Sequence, residues 1–340
     1  MTRRLFRRQE TRLSRGVERR RLRLRAWRHG RALDLVQDNL ARMDEGPVLI
    51  STIRNEAVRL PYFLRYYREL GVAHFLIVDN GSTDATRALL TGAPDVSIWQ
   101  TQASYRASNF GADWVNHLLS RYCVDRWILC VDPDELLIYP YCDTRGLPAL
   151  TRWLDQNGRV SLGALMLDMY GAGPASATPY CAGEDPLLAA PWFDAGNYLS
   201  ERHIRYHNLW IQGGPRQRVV FAEDPENAPA LNKTPLVKWG AGTVFVTSTH
   251  NLLPQRYNHN YARDGGAWTS GALLHFKFLD TLSGKVAEEM HRKEHYLAGA
   301  EYRTYADRGL DQSFWTRHSS RYEGWQQLAA LGVIARGGWF

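Results

Sequence analysis

The residues best suited to chemistry stand at Val131-Asp132-Pro133-Asp134-Glu135, where three carboxylates follow an apolar run. Carboxylates crowded at the end of a buried strand repel one another and lose solvation, a cost that a cation relieves. A hard divalent ion with oxygen ligands, Mg²⁺ or Mn²⁺, does so while sharing its shell with substrate phosphates. An acidic turn capping the next segment is the other reading, since Asp-Pro-Asp also makes good turns.

A second cluster, Asp79-Asn-Gly-Ser-Thr-Asp84, lies between an apolar run and a helical pattern. Asn-Gly favours a tight turn, and Ser82, Thr83 or Asp84 can cap the helix that follows. The Asp79 carboxylate stands where a nucleoside's imide or ribose hydroxyls can be read. A third cluster, Ser51-Thr-Ile-Arg54-Asn55-Glu56, adds polar groups to the same rim.

The elements that must position these clusters are apolar runs of strand length alternating with helical spacing. The runs are 48–53, 74–78, 96–100 and 127–131; helical spacing covers 57–70, 84–91 and 107–122, with Gly71 as the expected C-cap of the first. This alternation predicts an α/β fold with a Rossmann-like, mostly parallel sheet flanked by helices, binding ligands beyond the carboxyl ends of its strands. After about residue 170 the pattern loosens into Pro/Gly-rich stretches (171–186, 213–215, 225–235) and aromatic clusters. That change predicts a less regular second half covering the first. Helical spacing returns at 283–299 and 322–332, and no internal repeat is found.

The three strand ends together resemble the nucleotide-sugar half of family 2 glycosyltransferases, whose fold type is GT-A. That family's first strand ends in Asn-Glu, matched by Asn55-Glu56. Its second ends in an Asp-x-Ser-x-Asp turn, matched in kind by Asp79 through Asp84, and its Asp-x-Asp metal motif is matched by Asp132-Pro-Asp134. The match spans about residues 47–140 and looks like a bacterial subgroup. The resemblance implies a metal-dependent, inverting hexosyltransferase with Mn²⁺ or Mg²⁺ as cofactor. It would take a nucleotide diphosphate sugar and a glycan or lipid-linked acceptor, as in polysaccharide assembly.

Carried over residue by residue, it makes Asp79 the base-recognition carboxylate, with Thr52, Arg54 and Glu56 lining the nucleoside pocket. Asp134 becomes the principal metal ligand, Asp132 contacts ribose or metal, and Arg106 approaches the nucleotide by position only. His275, alternating with Lys277 on the expected strand Leu273–Phe278, completes the metal shell, with His250 as its rival; Lys277 offsets diphosphate charge. Asp168 is the candidate base, with Asp194 and Asp224 as alternatives. Gly213-Gly-Pro-Arg216-Gln-Arg218, with Lys233 and Lys238, suits phosphate or an anionic acceptor. Trp192, Tyr198, Tyr206, Trp210, Trp239 and Trp268 offer a sugar-stacking wall or core packing. A nucleotidyltransferase is the rival enzyme class, though Ser51–Glu56 lacks a Gly-rich phosphate loop. A non-catalytic carbohydrate-binding protein is the rival outside enzymes.

The 340 residues carry 42 Lys+Arg and 35 Asp+Glu, a net charge of +7. Thirteen arginines and two glutamates fall in 1–31, a local +11; the remaining 29 basic and 33 acidic residues sum to −4. Basicity therefore belongs to an arm and is no sign of specific nucleic-acid binding. Arginines interleaved with Leu5, Phe6, Leu13, Val17, Leu22, Leu24 and Trp27 suit peripheral contact with an anionic membrane. Non-specific nucleic-acid contact and a solvated tail are the other readings.

At 44% hydrophobic and 23% charged, the body buries a large core. No run of 18 apolar residues and no secretory h-region occur, and four scattered cysteines suit free thiols. The expectation is a cytoplasmic protein, peripheral to the inner face of the cell membrane. Its units are a basic helical extension (1–46), a GT-A domain (47–300, the nucleotide-sugar half being 47–140 and the acceptor half 141–300) and a helical C-terminal extension (301–340).

Overall fold

The computed structural model describes residues 12–260, 268–292, 294, 305 and 312–340. The strands are β1 (Asp34–Gln37), β2 (Val48–Ile53), β3 (His74–Asp79), β4 (Val96–Gln100), β5 (Trp127–Cys130), β6 (Glu135–Ile138), β7 (Ser161–Tyr170), β8 (Trp192–Phe193), β9 (Tyr198–Arg202), β10 (Leu209–Gly213), β11 (Asn232–Lys238), β12 (Val244–Thr247), β13 (Asn251–Leu253), β14 (Gly271–Phe278) and β15 (Ser320–Arg321). The helices are α1 (Arg12–Gly30), α2 (Leu60–Glu69), α3 (Thr86–Leu90), α4 (Ala112–Tyr122), α5 (Leu147–Gln156), α6 (Pro186–Ala189), α7 (Thr281–Arg292) and α8 (Trp325–Ala330).

One large sheet runs β1-β4-β3-β2-β5-β11-β7-β14-β6, with β8 and β15 attached beside β7. Strands β4, β3, β2 and β5 form a parallel block. Each is apolar on both faces because both faces are covered. Leu49, Ile53, Phe75 and Ile77 pack with Leu60, Phe63, Leu64 and Tyr67 of α2 on one side. Val48, Ile50, Leu76 and Val78 pack with Trp114, Val115, Leu118 and Leu119 of α4 on the other. The expected α/β class with helices flanking a parallel sheet is thus what the chain forms. Antiparallel pairings enter at the β1 edge, against β4, and where the second half joins: β11 inserts between β5 and β7, and β6 closes the other edge against β14.

Helix α2 ends as expected at Gly71 (φ +95°), where the amides of Gly71 and Val72 return to the carbonyls of Arg68 and Tyr67 at 3.0 and 2.9 Å. The first half follows the sequence reading closely. At the C-terminus the described residues depart from it. The segment 312–340 holds a two-residue strand and one six-residue helix, so this described part of the expected helical extension is mostly irregular.

The basic arm also differs from expectation. Its described part, α1, packs on α4 rather than standing outside the body. Leu22, Ala26 and Gly30 recur every four residues and are buried; the Gly30 position leaves no room for a Cβ, which would fall 2.1 Å from His117 Cγ. Arg25 reaches the fully buried Asp113 of α4 at 3.1 Å. Glu18 accepts from the Tyr206 hydroxyl at 3.1 Å and pairs with Arg205 at 3.0 Å. Residues 1–11, including Leu5 and Phe6, lie outside the described residues. All four cysteines are free thiols. Among the described residues no helix is long and apolar enough to cross a membrane.

Candidate active site

Sheet register brings the central carboxylates together. His275 on β14 is paired with Glu135 on β6 and with Asp168 on β7, so the three side chains share one face across adjacent strands. Asp132 and Asp134 arrive on the short turn between β5 and β6. That turn is closed by the Glu135 amide donating to the Asp132 carbonyl at 3.0 Å and by the Asp132 amide donating to the Glu135 carboxylate at 3.2 Å.

His275 sits between two carboxylates. Its Nδ1 is 2.7 Å from Asp168 Oδ1, and its Nε2 faces Asp134 Oδ2 at 3.6 Å. Asp168 is fully buried and is also bonded by Arg216 Nε at 2.7 Å. Burial would raise the Asp168 pKa; Arg216 and His275 outweigh it and hold the group below its ordinary value. Asp168 is therefore an acceptor, which places the Nδ1 hydrogen of His275 and turns Nε2 toward Asp134. Burial likewise opposes ionisation of Asp134, but His275, Arg59, Lys285 and Lys233 hold it well below the usual carboxylate range.

A bare Nε2 lone pair opposite an ionised carboxylate is repulsive, so the pair calls for a proton or a cation between them. The 3.6 Å span is about that of two donors on one small divalent ion. A hard oxygen and an imidazole held by a carboxylate behind it form a donor pair that Mn²⁺ accepts. The residues present fit such an ion through Asp134 and His275.

Asp132, expected as a third donor, is drawn away. Lys233 of β11 lies 3.3 Å from its carboxylate and is hydrogen-bonded to Glu135. Burial would lower the Lys233 pKa, but Glu135 and Asp132 more than reverse this and keep it charged. Burial raises Glu135, against the pull of Lys233. Among the described residues no group of three or more His, Cys, Asp or Glu is arranged to hold one metal ion. Lys233, read from sequence with the Gly-Pro turn, is thus the internal counter-charge of the Asp132–Glu135 motif.

Beside this cluster opens a cleft of about 420 Å³, its mouth included, lined by Ser51, Thr52, Gly111, Asp132, Lys233 and Thr249, among others. The hydroxyls of Ser51, Thr52 and Thr249 are buried without a hydrogen-bond partner among the described residues. Unsatisfied buried hydroxyls on a cleft wall suit a polar ligand. Gly111 (φ +76°) starts α4 here, and a Cβ on it would lie 3.1 Å from Thr52 Oγ1, so only glycine lets the loop come this close to β2. Ser51 belongs to the third polar cluster of the sequence with no role of its own assigned there, and nothing local marks Thr249.

The other expected nucleoside contacts are present on the rim but engaged. Asp79 is fully buried; its Oδ1 accepts from the Ser82 amide at 2.9 Å and hydroxyl at 2.6 Å, while Oδ2 has no partner among the described residues. Gly81 (φ +72°) makes the expected tight turn. Arg54 donates to the carbonyls of Asn80 and Gly81 at 2.7 and 2.6 Å. Helix α7 lies over these loops. Its Glu288 takes Arg54 at 2.5 Å and Asn55 at 3.1 Å, Lys285 bonds Glu56, and Arg292 reaches Asn80 at 3.1 Å. Glu294 accepts from Ser104 and from the amide of Arg106, both at 2.7 Å, and the Arg106 side chain is exposed. Lys285, Glu288 and Arg292 recur at a spacing that shares one helical face, but nothing local marks which loops that face meets.

Several second-half expectations need correcting. Arg216, expected to meet phosphate, is buried against Asp168. Asp168, expected as the acceptor's base, is sealed by Arg216 and His275, with no exposed surface to meet an acceptor. Asp194 is clasped by Arg218, at 3.0 Å from each oxygen, and by the Tyr170 hydroxyl. Asp224 bonds Asn227 on an exposed turn. Lys277 lies 5.1 Å over the Tyr305 ring. His250 turns Nδ1 to the Asn232 carbonyl at 2.6 Å, apart from Asp134. Lys238 pairs with Asp155 at 2.6 Å. The six aromatics do not form one wall: Trp239 is core against Phe245, Trp192 packs on Trp315, Trp268 is stacked by Arg159, and Tyr206 and Trp210 both pack on His203.

No protein-family model matches the chain, and no curated protein matches it. Among solved structures, one similar chain is described as the crystal structure of 4-diphosphocytidyl-2C-methyl-D-erythritol synthase. It is 13% identical, with 58% of this chain and 77% of that one covered, at a TM-score of 0.29. A likeness of that degree carries no argument about function.

Proposed function

We propose that this protein is a metal-dependent, inverting glycosyltransferase that moves a sugar from a nucleotide diphosphate sugar to a hydroxyl of a glycan or lipid-linked acceptor. The observation that carries the reading is the pair Asp134–His275. The two donors face each other across 3.6 Å at the carboxyl ends of the sheet, backed by Asp168 and adjoining a cleft of unsatisfied hydroxyls. The motif resemblance at Asn55-Glu56, Asp79–Asp84 and Asp132–Asp134 points the same way.

In this reading Asp134 and His275 would hold Mn²⁺ or Mg²⁺, which would supply positive charge to stabilise the leaving diphosphate. Arg216 and Asp168 keep the His275 ring in one orientation, a positioning role. Ser51, Thr52 and Thr249 donate to the donor's polar groups from the cleft wall. Asp132 bonds ribose from its exposed position, while Lys233 offsets the negative charge of the motif and adds its own to the diphosphate side. Asp79 Oδ2, without a partner among the described residues, would accept from a base imide.

Release of nucleoside diphosphate from a panel of nucleotide sugars, followed by mass spectrometry with and without Mn²⁺, tests the reading. One donor should turn over only with the ion, and Asp134→Ala should abolish turnover while melting as a folded protein. Undiminished turnover by that variant would contradict the role of Asp134.

A further inference from the structure

The inward side of α1 is accounted for by its packing on α4; the outward side is not. Val17, Arg20, Arg21, Leu24, Trp27, Arg28 and Arg31 are all exposed and fall within an arc of about 120° at the helical period. Val17 is 60%, Leu24 47% and Trp27 54% exposed, and Arg31 lies over the Trp27 ring at 5.7 Å. This arc holds four arginines and no acidic residue; the single glutamate of α1, Glu18, points inward to Tyr206 and Arg205. Asp113 of α4 is taken by Arg25, which lies outside this arc. Among the described residues the outward face is therefore uncompensated positive charge with three apolar side chains set along it.

We infer that this face of α1 docks on an anionic lipid bilayer, with the helix axis in the plane of the interface. Charge and apolarity together select this occupant. Arginines attract anionic headgroups, while Trp27, Leu24 and Val17 enter the headgroup–acyl boundary that a membrane offers. Nucleic acid would use the arginines but leaves exposed Leu24 and Val17 without a partner of their kind. A second copy would bring one arginine face against another, which like charge disfavours. Docking of α1 on α4 gives the surface a fixed pose, since α4 begins at the cleft wall at Gly111 and Ala112. Binding at this face stands whether or not the cleft turns over a nucleotide sugar.

The test is co-sedimentation of the full chain with vesicles of phosphatidylcholine alone and of phosphatidylcholine mixed with phosphatidylglycerol. The wild-type protein should bind the anionic vesicles about tenfold or more tightly than the neutral ones. Arg20→Glu with Arg21→Glu and Arg28→Glu should remove that preference. Leu24→Ser with Trp27→Ser should leave binding at low salt and lose it near physiological salt, because only the screened electrostatic part remains. All substituted positions are exposed, so circular dichroism and melting should match wild type. Equal binding to both vesicles, no binding to either, or unchanged binding by both variants overturns the inference. It is also overturned if short duplex DNA competes the chain off the vesicles and binds the Leu24/Trp27 variant as well as wild type, or if a dimer forms in solution that this variant dissolves.

Discussion

Asp168 and His275 share a 2.7 Å hydrogen bond between adjacent strands, and that bond decides which imidazole nitrogen faces Asp134. Asp168→Asn removes the charge while keeping the shape. Loss of such a carboxylate behind a ligating histidine costs about 10–100-fold in metal affinity, so Mn²⁺ titration by calorimetry should weaken by that factor. Arg216→Gln also breaks the buried pair and should lower stability comparably, with a smaller change in Mn²⁺ affinity. Equal Mn²⁺ affinity in wild type and Asp168→Asn would remove Asp168 from the positioning role.

Lys233 is the buried cation of the Asp132–Glu135 turn. Removing one partner of a buried pair leaves an uncompensated charge, at a cost of about 3–5 kcal/mol. Lys233→Met should therefore lower the unfolding free energy by roughly that amount. Adding Glu135→Gln should recover about 1 kcal/mol or more, because the stranded carboxylate is gone. A chemical denaturation series showing simple additivity of the two changes would count against the pairing.

Helix α1 meets α4 closely at one glycine. A Cβ at Gly30 would fall 2.1 Å from His117 Cγ, so Gly30→Ala should cost about 1–3 kcal/mol through overpacking. His117→Ser in the same chain should restore most of it. Should Gly30→Ala melt like wild type, the described docking of α1 is wrong at this contact.

His250 supplies a pH dependence. Burial and the nearby Lys233 depress its pKa from 6.5 to about 4. The unfolded chain then binds the proton more readily than the native one between these values. The neutral form's stabilisation is fully present above pH 6.5 and is lost as pH falls toward 4, by about 1–2 kcal/mol at pH 5. His250→Gln should flatten this acid limb in melts taken across the window; an unchanged slope would show that His250 is not its source.

Much of the first-half architecture is legible in the sequence because it is local. The runs that become β2, β3, β4 and β5 are continuous and apolar, and the polar clusters sit at their carboxyl ends. His275 is legible by alternation with Lys277 on β14. What escapes is set by pairing distant in sequence. Lys233 meets Glu135 across 98 residues and Arg216 meets Asp168 across 48, and nothing local marks either as a partner. A charge-rich helix reads as solvated unless its small contact stripe, Leu22, Ala26 and Gly30, is weighed against its arginines. The engagement of Arg54, Glu56 and Asn80 by α7 likewise depends on a chain reversal that local spacing does not encode.

On the proposed reading Asp134 and His275 hold a divalent ion through which a nucleoside diphosphate binds the cleft. Calorimetric titration of wild type and Asp134→Asn with a nucleoside diphosphate, with and without Mn²⁺, is the test. Wild type should bind tightly only with Mn²⁺, and Asp134→Asn should lose at least about tenfold in affinity while remaining folded. Binding that is equally tight without Mn²⁺, or undiminished in Asp134→Asn, would contradict the account.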